Sequence, residues 1–110
     1  MFFILSDIPL YINTPPKDTV AIVGETVQLE CVASGTPTPT VMWRVTNKDG
    51  SKDVDVTSSS SRFRKKSTGA LQVTNGMRED SGTYTCVTRN AEGSKNASAE
   101  LKILSKYQKY

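Results

Sequence analysis

The 110-residue sequence predicts an all-β fold, and three observations carry that prediction. First, the segments around both cysteines and the single tryptophan alternate with a period of two. Val27, Leu29, Cys31 and Ala33 share one parity, as do Val41, Trp43 and Val45, and again Tyr84, Cys86 and Thr88. Strands of this kind turn one apolar face inward. Second, turn-forming clusters punctuate the chain at Gly24-Glu25, Gly35-Thr36-Pro37, Asn47-Lys48-Asp49-Gly50 and Asn90-Ala91-Glu92-Gly93. Third, no heptad pattern and no internal repeat competes with the alternation. If the two cysteines point inward from different sheets, a disulfide pins those sheets together and the Trp43 indole packs on it.

The landmarks are specific enough to suggest a family. Cys31, Trp43 twelve residues later, and Asp80-Ser81-Gly82-Thr83-Tyr84-Thr85-Cys86 together resemble an immunoglobulin domain, over about Ile8 to Leu104. Pro15-Pro16, Gly24-Glu25-Thr26-Val27, Gly35-Thr36-Pro37-Thr38-Pro39 and Asn90-Ala91-Glu92-Gly93 are similar to features of its I-set branch. The resemblance implies an immunoglobulin-like two-sheet antiparallel β-sandwich with one inter-sheet disulfide, Cys31–Cys86. It implies a core marked by Trp43, Leu71 and Tyr84, with the tyrosine hydroxyl bonded back to backbone a few residues upstream. It also implies a salt bridge between Arg62 and Asp80 under the bottom of the sandwich. Such a pair, partly buried, is costly to break on one side only.

Taken in order, Ile8 to Asn13 reads as an opening edge strand and Thr19 to Val23 as its continuation. Pro15 and Pro16 lie between them because proline cannot donate to a ladder. Thr26 to Ser34 reads as one strand and Thr40 to Thr46 as the next. Asp49-Gly50 suits a hairpin turn. Lys52 to Thr57 alternates only weakly, and Ser58-Ser59-Ser60-Ser61 is too polar to be ordered by burial. Arg62 to Lys66 brings Phe63 inward, and Ala70 to Thr74 follows with Leu71 and Val73. Gly76 to Ser81 reads as a helical turn, Gly82 to Asn90 as the cysteine strand, and Ala97 to Leu104 as the closing strand. Residues 1–7 are read as an added start or preceding linker, 8–104 as the domain and 105–110 as a C-terminal linker or tail. The expectation is a piece of a longer secreted or membrane-anchored protein. No stretch reaches a membrane-spanning length, so this segment is not expected to insert into a bilayer.

Composition narrows the chemistry. The chain carries no histidine, which removes histidine-based triads and the usual zinc ligand sets. Two cysteines suit one structural bridge, and such a bridge implies an oxidising compartment. Asp49, Asp53 and Asp55 lack the spacing of a calcium loop, and the glycines are isolated turn glycines rather than a phosphate cradle. No catalytic residue, metal or cofactor is therefore expected. A net charge of +3 is mildly basic and falls short of a nucleic-acid-binding composition.

Three surface features are candidates for function. Parity puts Met42, Arg44, Val87, Arg89 and Lys102 on the outer side of the tryptophan-bearing sheet, an apolar centre with a basic rim suited to protein contact. Arg64, Lys65 and Lys66 form a basic run able to bind a glycosaminoglycan, although the plainer reading is a solvated edge strand protected by charge. Asn96-Ala97-Ser98 is an acceptable glycosylation sequon, with Asn96 pointing outward. The expected function is a non-catalytic extracellular module of an adhesion molecule, receptor or matrix protein that binds other proteins, a second copy included. The alternatives are an intracellular, muscle-type I-set spacer and a glycosaminoglycan-binding module.

Overall fold

A computed structural model describes residues 8–47, 53–55 and 61–106. Its strands are β1 Tyr11–Thr14, β2 Thr19–Ile22, β3 Val27–Leu29, β4 Val32–Ser34, β5 Thr40–Asn47, β6 Asp53–Asp55, β7 Phe63–Lys65, β8 Leu71–Val73, β9 Gly82–Asn90 and β10 Gly93–Leu104. A 3-10 turn occupies Arg78–Asp80. One layer is a five-stranded sheet in the order β2-β10-β9-β5-β6; facing it are β3-β8-β7 and the β1-β4 pair. The fold is an immunoglobulin-like β-sandwich, with Cys31 and Cys86 joined as a disulfide across it.

The pairing is antiparallel with one exception, since β2 runs parallel to β10. Pro15-Pro16 explains it. The prolines end β1 on one layer and the chain crosses to the edge of the other, where it arrives running alongside the closing strand. The same crossing divides the expected strand 26–34. Its second half, β4, pairs with β1, while its first half, β3, pairs only with β8, so the ladder is interrupted at Glu30-Cys31. The opening strand begins later than the alternation suggested. Ile8 is engaged instead with the loop at Thr36, which donates its N–H to the Ile8 carbonyl at 2.9 Å. The closing strand begins earlier, at Gly93, because the loop of Ala91 and Glu92 is tight enough to keep β9 and β10 paired up to Asn90 and Gly93. Asn90 Oδ1 accepts the Glu92 N–H at 2.8 Å, and Gly93 takes a positive φ of 141°. The turn at 48–50, the serine run 58–60 and the two ends, 1–7 and 107–110, lie outside the described residues.

Between the layers Trp43, Leu71, Val73 and the disulfide are fully buried. The Trp43 Nε1–H donates to the Gly69 carbonyl at 2.8 Å, so the indole's one polar atom is satisfied inside the core. Gly69 has φ +99°, and a Cβ there would collide with the Cys31 carbonyl; only glycine fits under the tryptophan.

The end of the sandwich below Tyr84 is held by polar groups. The Tyr84 hydroxyl donates to the Asp80 carbonyl at 2.6 Å, and burial pushes its pKa up. The Asp80 carboxylate accepts from Arg62 Nη1 at 2.8 Å, Arg62 Nη2 at 2.9 Å and the Met77 N–H at 2.8 Å. The bidentate bond to Asp80 is the main reason the Arg62 guanidinium is held above its ordinary pKa, against the opposing effect of burial. Nearby, Ser81 Oγ accepts the Ile103 N–H at 2.9 Å, tying the turn to β10. Arg62 and Asp80 thus serve as structural fastenings of the fold.

Candidate functional site

Strand register, more than side-chain parity, determines what the outer face of the five-stranded sheet offers. Successive cross-strand rows on that face are Ser94–Arg89–Thr40, then Asn96–Val87–Met42, then Ser98–Thr85–Arg44, then Glu100–Thr83–Thr46. Lys102 stands opposite Val20 on β2, beyond these rows. Met42 and Val87 are therefore direct neighbours on the two central strands, half-buried by what flanks them, with exposed Arg89 in the next row. Arg44 occupies the row on the other side, opposite Asp55 in the register. Lys102 is six residues further along β10 than Asn96, about 20 Å at the rise of an extended strand, and does not rim the apolar pair. Asn96 sits beside Val87.

The strands hold these side chains firmly. β5 and β9 are paired over eight residues, and the neighbours of Met42 and Val87 in sequence, Trp43 and Cys86, are both fully buried. The alternation that drives the indole and the disulfide inward forces Met42 and Val87 outward.

A second surface lies at the edge between the layers. Lys65, Lys66, Thr38, Thr40, Ser67 and Thr68 line part of a groove of about 430 Å³. Lys65 shares the inward parity of Phe63 but lies at the strand edge. Its ammonium group reaches across to donate to the Val41 carbonyl at 2.7 Å. Arg64 lies outside this groove, opposite Gln72 on β8, so the basic run is split over two surfaces.

Among the described residues, no group of three or more carboxylates, thiols or imidazoles is placed to hold a metal ion. Asp49, together with the side chains of Asp53 and Asp55, lies outside the described residues.

Two relations were missed by parity alone. The Lys95 ammonium lies 5.7 Å from the centroid of the exposed Tyr11 ring, a surface contact between β10 and β1; nothing in the sequence pairs these residues. The Asn96–Val87–Met42 row, by contrast, was within reach of the sequence. A two-residue loop between Asn90 and Gly93 fixes the hairpin register, and counting back from it sets Asn96 against Val87.

Comparison with known proteins agrees with this architecture. The immunoglobulin I-set domain model matches residues 10–103. Roundabout homolog 1 of Rattus norvegicus is 38% identical over 99 residues, covering 86% of this chain and 6% of that protein's length. Tandem Ig repeats of Dlar superpose with a TM-score of 0.77 at 31% identity, covering 90% of this chain and 50% of that one. A complex of titin M10 with an obscurin-like 1 Ig domain gives a TM-score of 0.75 at 27% identity, covering 92% and 99%. The chain spans a small fraction of the curated relatives it matches. Those relatives are cell-surface or secreted adhesion and receptor proteins built with such domains. Among the described residues no helix is long and apolar enough to cross a membrane.

Proposed function

The chain belongs to the immunoglobulin I-set family, and we propose that it is a non-catalytic extracellular interaction module that presents the outer face of its five-stranded sheet to a partner protein. One observation carries this reading: Met42 and Val87 are adjacent on the two central strands, with arginine rows on either side. A preformed apolar centre loses little entropy on binding, and a surrounding rim of arginine is common where binding energy concentrates. Charge complementarity favours a partner with an apolar patch edged by carboxylates. A second copy of the chain is the alternative occupant, since the same face carries the carboxylate of Glu100 two rows from Val87 as well as the guanidinium of Arg89.

The test is binding of the multimerised chain to a panel of secreted and cell-surface ectodomains, with Val87→Glu and Met42→Asp run in parallel. Both variants are expected to keep the wild-type circular dichroism spectrum and to lose the wild-type partner. Binding that survives both substitutions would put the contact elsewhere. Sedimentation velocity of the isolated chain checks the second-copy outcome.

Two other readings each rest on an observation. The likeness to the titin–obscurin-like complex supports an intracellular spacer. In that case natively expressed protein carries two alkylatable thiols, whereas the extracellular reading expects none. The groove beside Lys65 and Lys66 supports binding of a sulfated polysaccharide. Retention on heparin that falls with salt and is lost in a Lys65→Ala, Lys66→Ala variant would support it; no retention at low salt would end it.

A further inference from the structure

We propose that Asn96 carries an N-linked glycan whose first sugars lie across Val87 and Met42, so that glycosylation decides whether the outer face is open to a partner. The inference deepens the reading of this face as a contact surface and rests on it. The sequon Asn96-Ala97-Ser98 lies within β10, where Asn96 and Ser98 are exposed and Ala97 is turned partly inward. Both residues the transfer needs therefore share the outer face. Asn96 is opposite Val87, and Val87 is opposite Met42. Each cross-strand step is about 5 Å, so Met42 lies about 10 Å from the attachment point, within the span of the first sugars.

The surroundings suit a sugar lying across the strands rather than standing away from them. The next outward residues on β10 in either direction are Ser94 and Ser98, small side chains that leave the attachment end of the row clear, with Arg89 and Arg44 flanking it further across the sheet. The C–H face of an N-acetylglucosamine ring matches the Val87–Met42 strip. Its hydroxyls remain free for solvent, for Arg89 on one side and for the Thr85–Ser98 hydroxyl pair, 2.8 Å apart, on the other. A sugar seated there removes apolar area from water that the bare sheet leaves half exposed.

The covalent step requires a lipid-linked oligosaccharide pyrophosphate as co-reactant. A bond forms between Asn96 Nδ2 and the anomeric carbon, and the bond from that carbon to the pyrophosphate oxygen breaks. The leaving lipid pyrophosphate takes the electron pair, and the amide gives up one proton. In the folded sheet the Ser98 hydroxyl is held by Thr85. Transfer therefore belongs to the extended chain, before β9 and β10 pair.

The experiment compares wild-type protein from a secreting eukaryotic host with Asn96→Gln and Ser98→Ala. Intact mass before and after peptide N-glycosidase reports occupancy. Hydrogen peroxide oxidation, followed by peptide mass, reports the rate at Met42 relative to exposed Met77 in the same molecule. A glycan on wild type alone is expected, with Met42 oxidised several-fold more slowly, relative to Met77, than in either variant. A bare Asn96 in secreted, disulfide-bonded chain overturns the proposal. So does an occupied Asn96 that leaves the Met42-to-Met77 ratio unchanged. Neither measurement involves a partner, so their failure cannot be confused with failure of the contact reading, which the Val87→Glu binding assay decides.

Discussion

The two halves of β9 obey opposite rules. From Gly82 to Cys86 the strand is regular: Tyr84 and Cys86 are buried, while Thr83 and Thr85 look outward. Past Cys86 the pattern inverts, with apolar Val87 on the outer face and Thr88 fully buried. In the first half every inward group has a designated partner: Tyr84 bonds the Asp80 carbonyl and Cys86 bonds Cys31. In the second half the Thr88 Oγ1 is buried without a hydrogen-bond partner. The first half is scaffold, optimised for stability. The second leaves a buried hydroxyl unpartnered and an apolar residue outside, and such local departures concentrate where a surface is used.

The contrast is broken most forcefully at the scaffold end. Asp80→Ala removes the acceptor of three hydrogen bonds and leaves the Arg62 side chain, 27% exposed, without its carboxylate. The expected loss is about 3 kcal/mol in urea unfolding, since a partly buried charge stripped of its partner keeps its desolvation cost. A loss below about 0.5 kcal/mol would mean that the pair behaves like a surface ion pair and that this end of the sandwich is fastened by packing alone.

Tyr84→Phe is expected to cost less, about 1.5 kcal/mol at neutral pH, because it leaves the Asp80 carbonyl without its donor. Its signature is in alkali. The ordinary tyrosine pKa is 10.0, and in the folded chain burial raises it. A raised folded pKa gives stability that is fully present below the unfolded value. That stability declines as pH climbs above 10, because the unfolded chain gives up the proton first. Wild-type stability should therefore fall above pH 10 more steeply than that of Tyr84→Phe, measured by chemical denaturation at several pH values. Parallel slopes would mean that the hydroxyl ionises equally in both states.

How much of this was legible beforehand differs between the two regions for a physical reason. The scaffold depends on alternation and on landmarks that carry the family resemblance, such as Trp43, Cys31, Cys86 and the aspartate before Ser-Gly-Thr-Tyr. A sequence displays those directly. The candidate face depends on which strands are neighbours and in what register, information distributed over several turns. Parity groups Met42, Val87 and Lys102 on one face, yet could not reveal that Lys102 is several rows away. The break between β3 and β4 was hidden likewise: it arises from where β1 departs, not from anything in Glu30-Cys31 itself.

The inverted half of β9 yields the smaller effects. Thr88→Val replaces a buried, unpartnered hydroxyl by a methyl of the same shape, and should stabilise by about 1 kcal/mol in thermal or urea unfolding. If it destabilises instead, the hydroxyl has a partner and the inversion is only apparent.

Val87→Thr completes the pair and is the most delicate test. Val87 faces outward between Met42 and Asn96, so its neighbours in the sheet are side chains rather than core. Threonine keeps the β-branched shape that a paired strand favours and presents a hydroxyl to a surface that already faces water. Stability should therefore move by no more than about 0.5 kcal/mol. Combined with Thr88→Val, it restores the polar-out, apolar-in rule along the whole of β9, and the double variant should be more stable than wild type by nearly the Thr88→Val gain alone. Partner binding should still weaken, because the apolar centre of the face has been halved. A double variant that gains stability and binds as well as wild type would mean that the inversion is not tied to display. A double variant less stable than Thr88→Val alone by more than about 1 kcal/mol would mean that Val87 contributes to packing against Met42 beyond its exposed share.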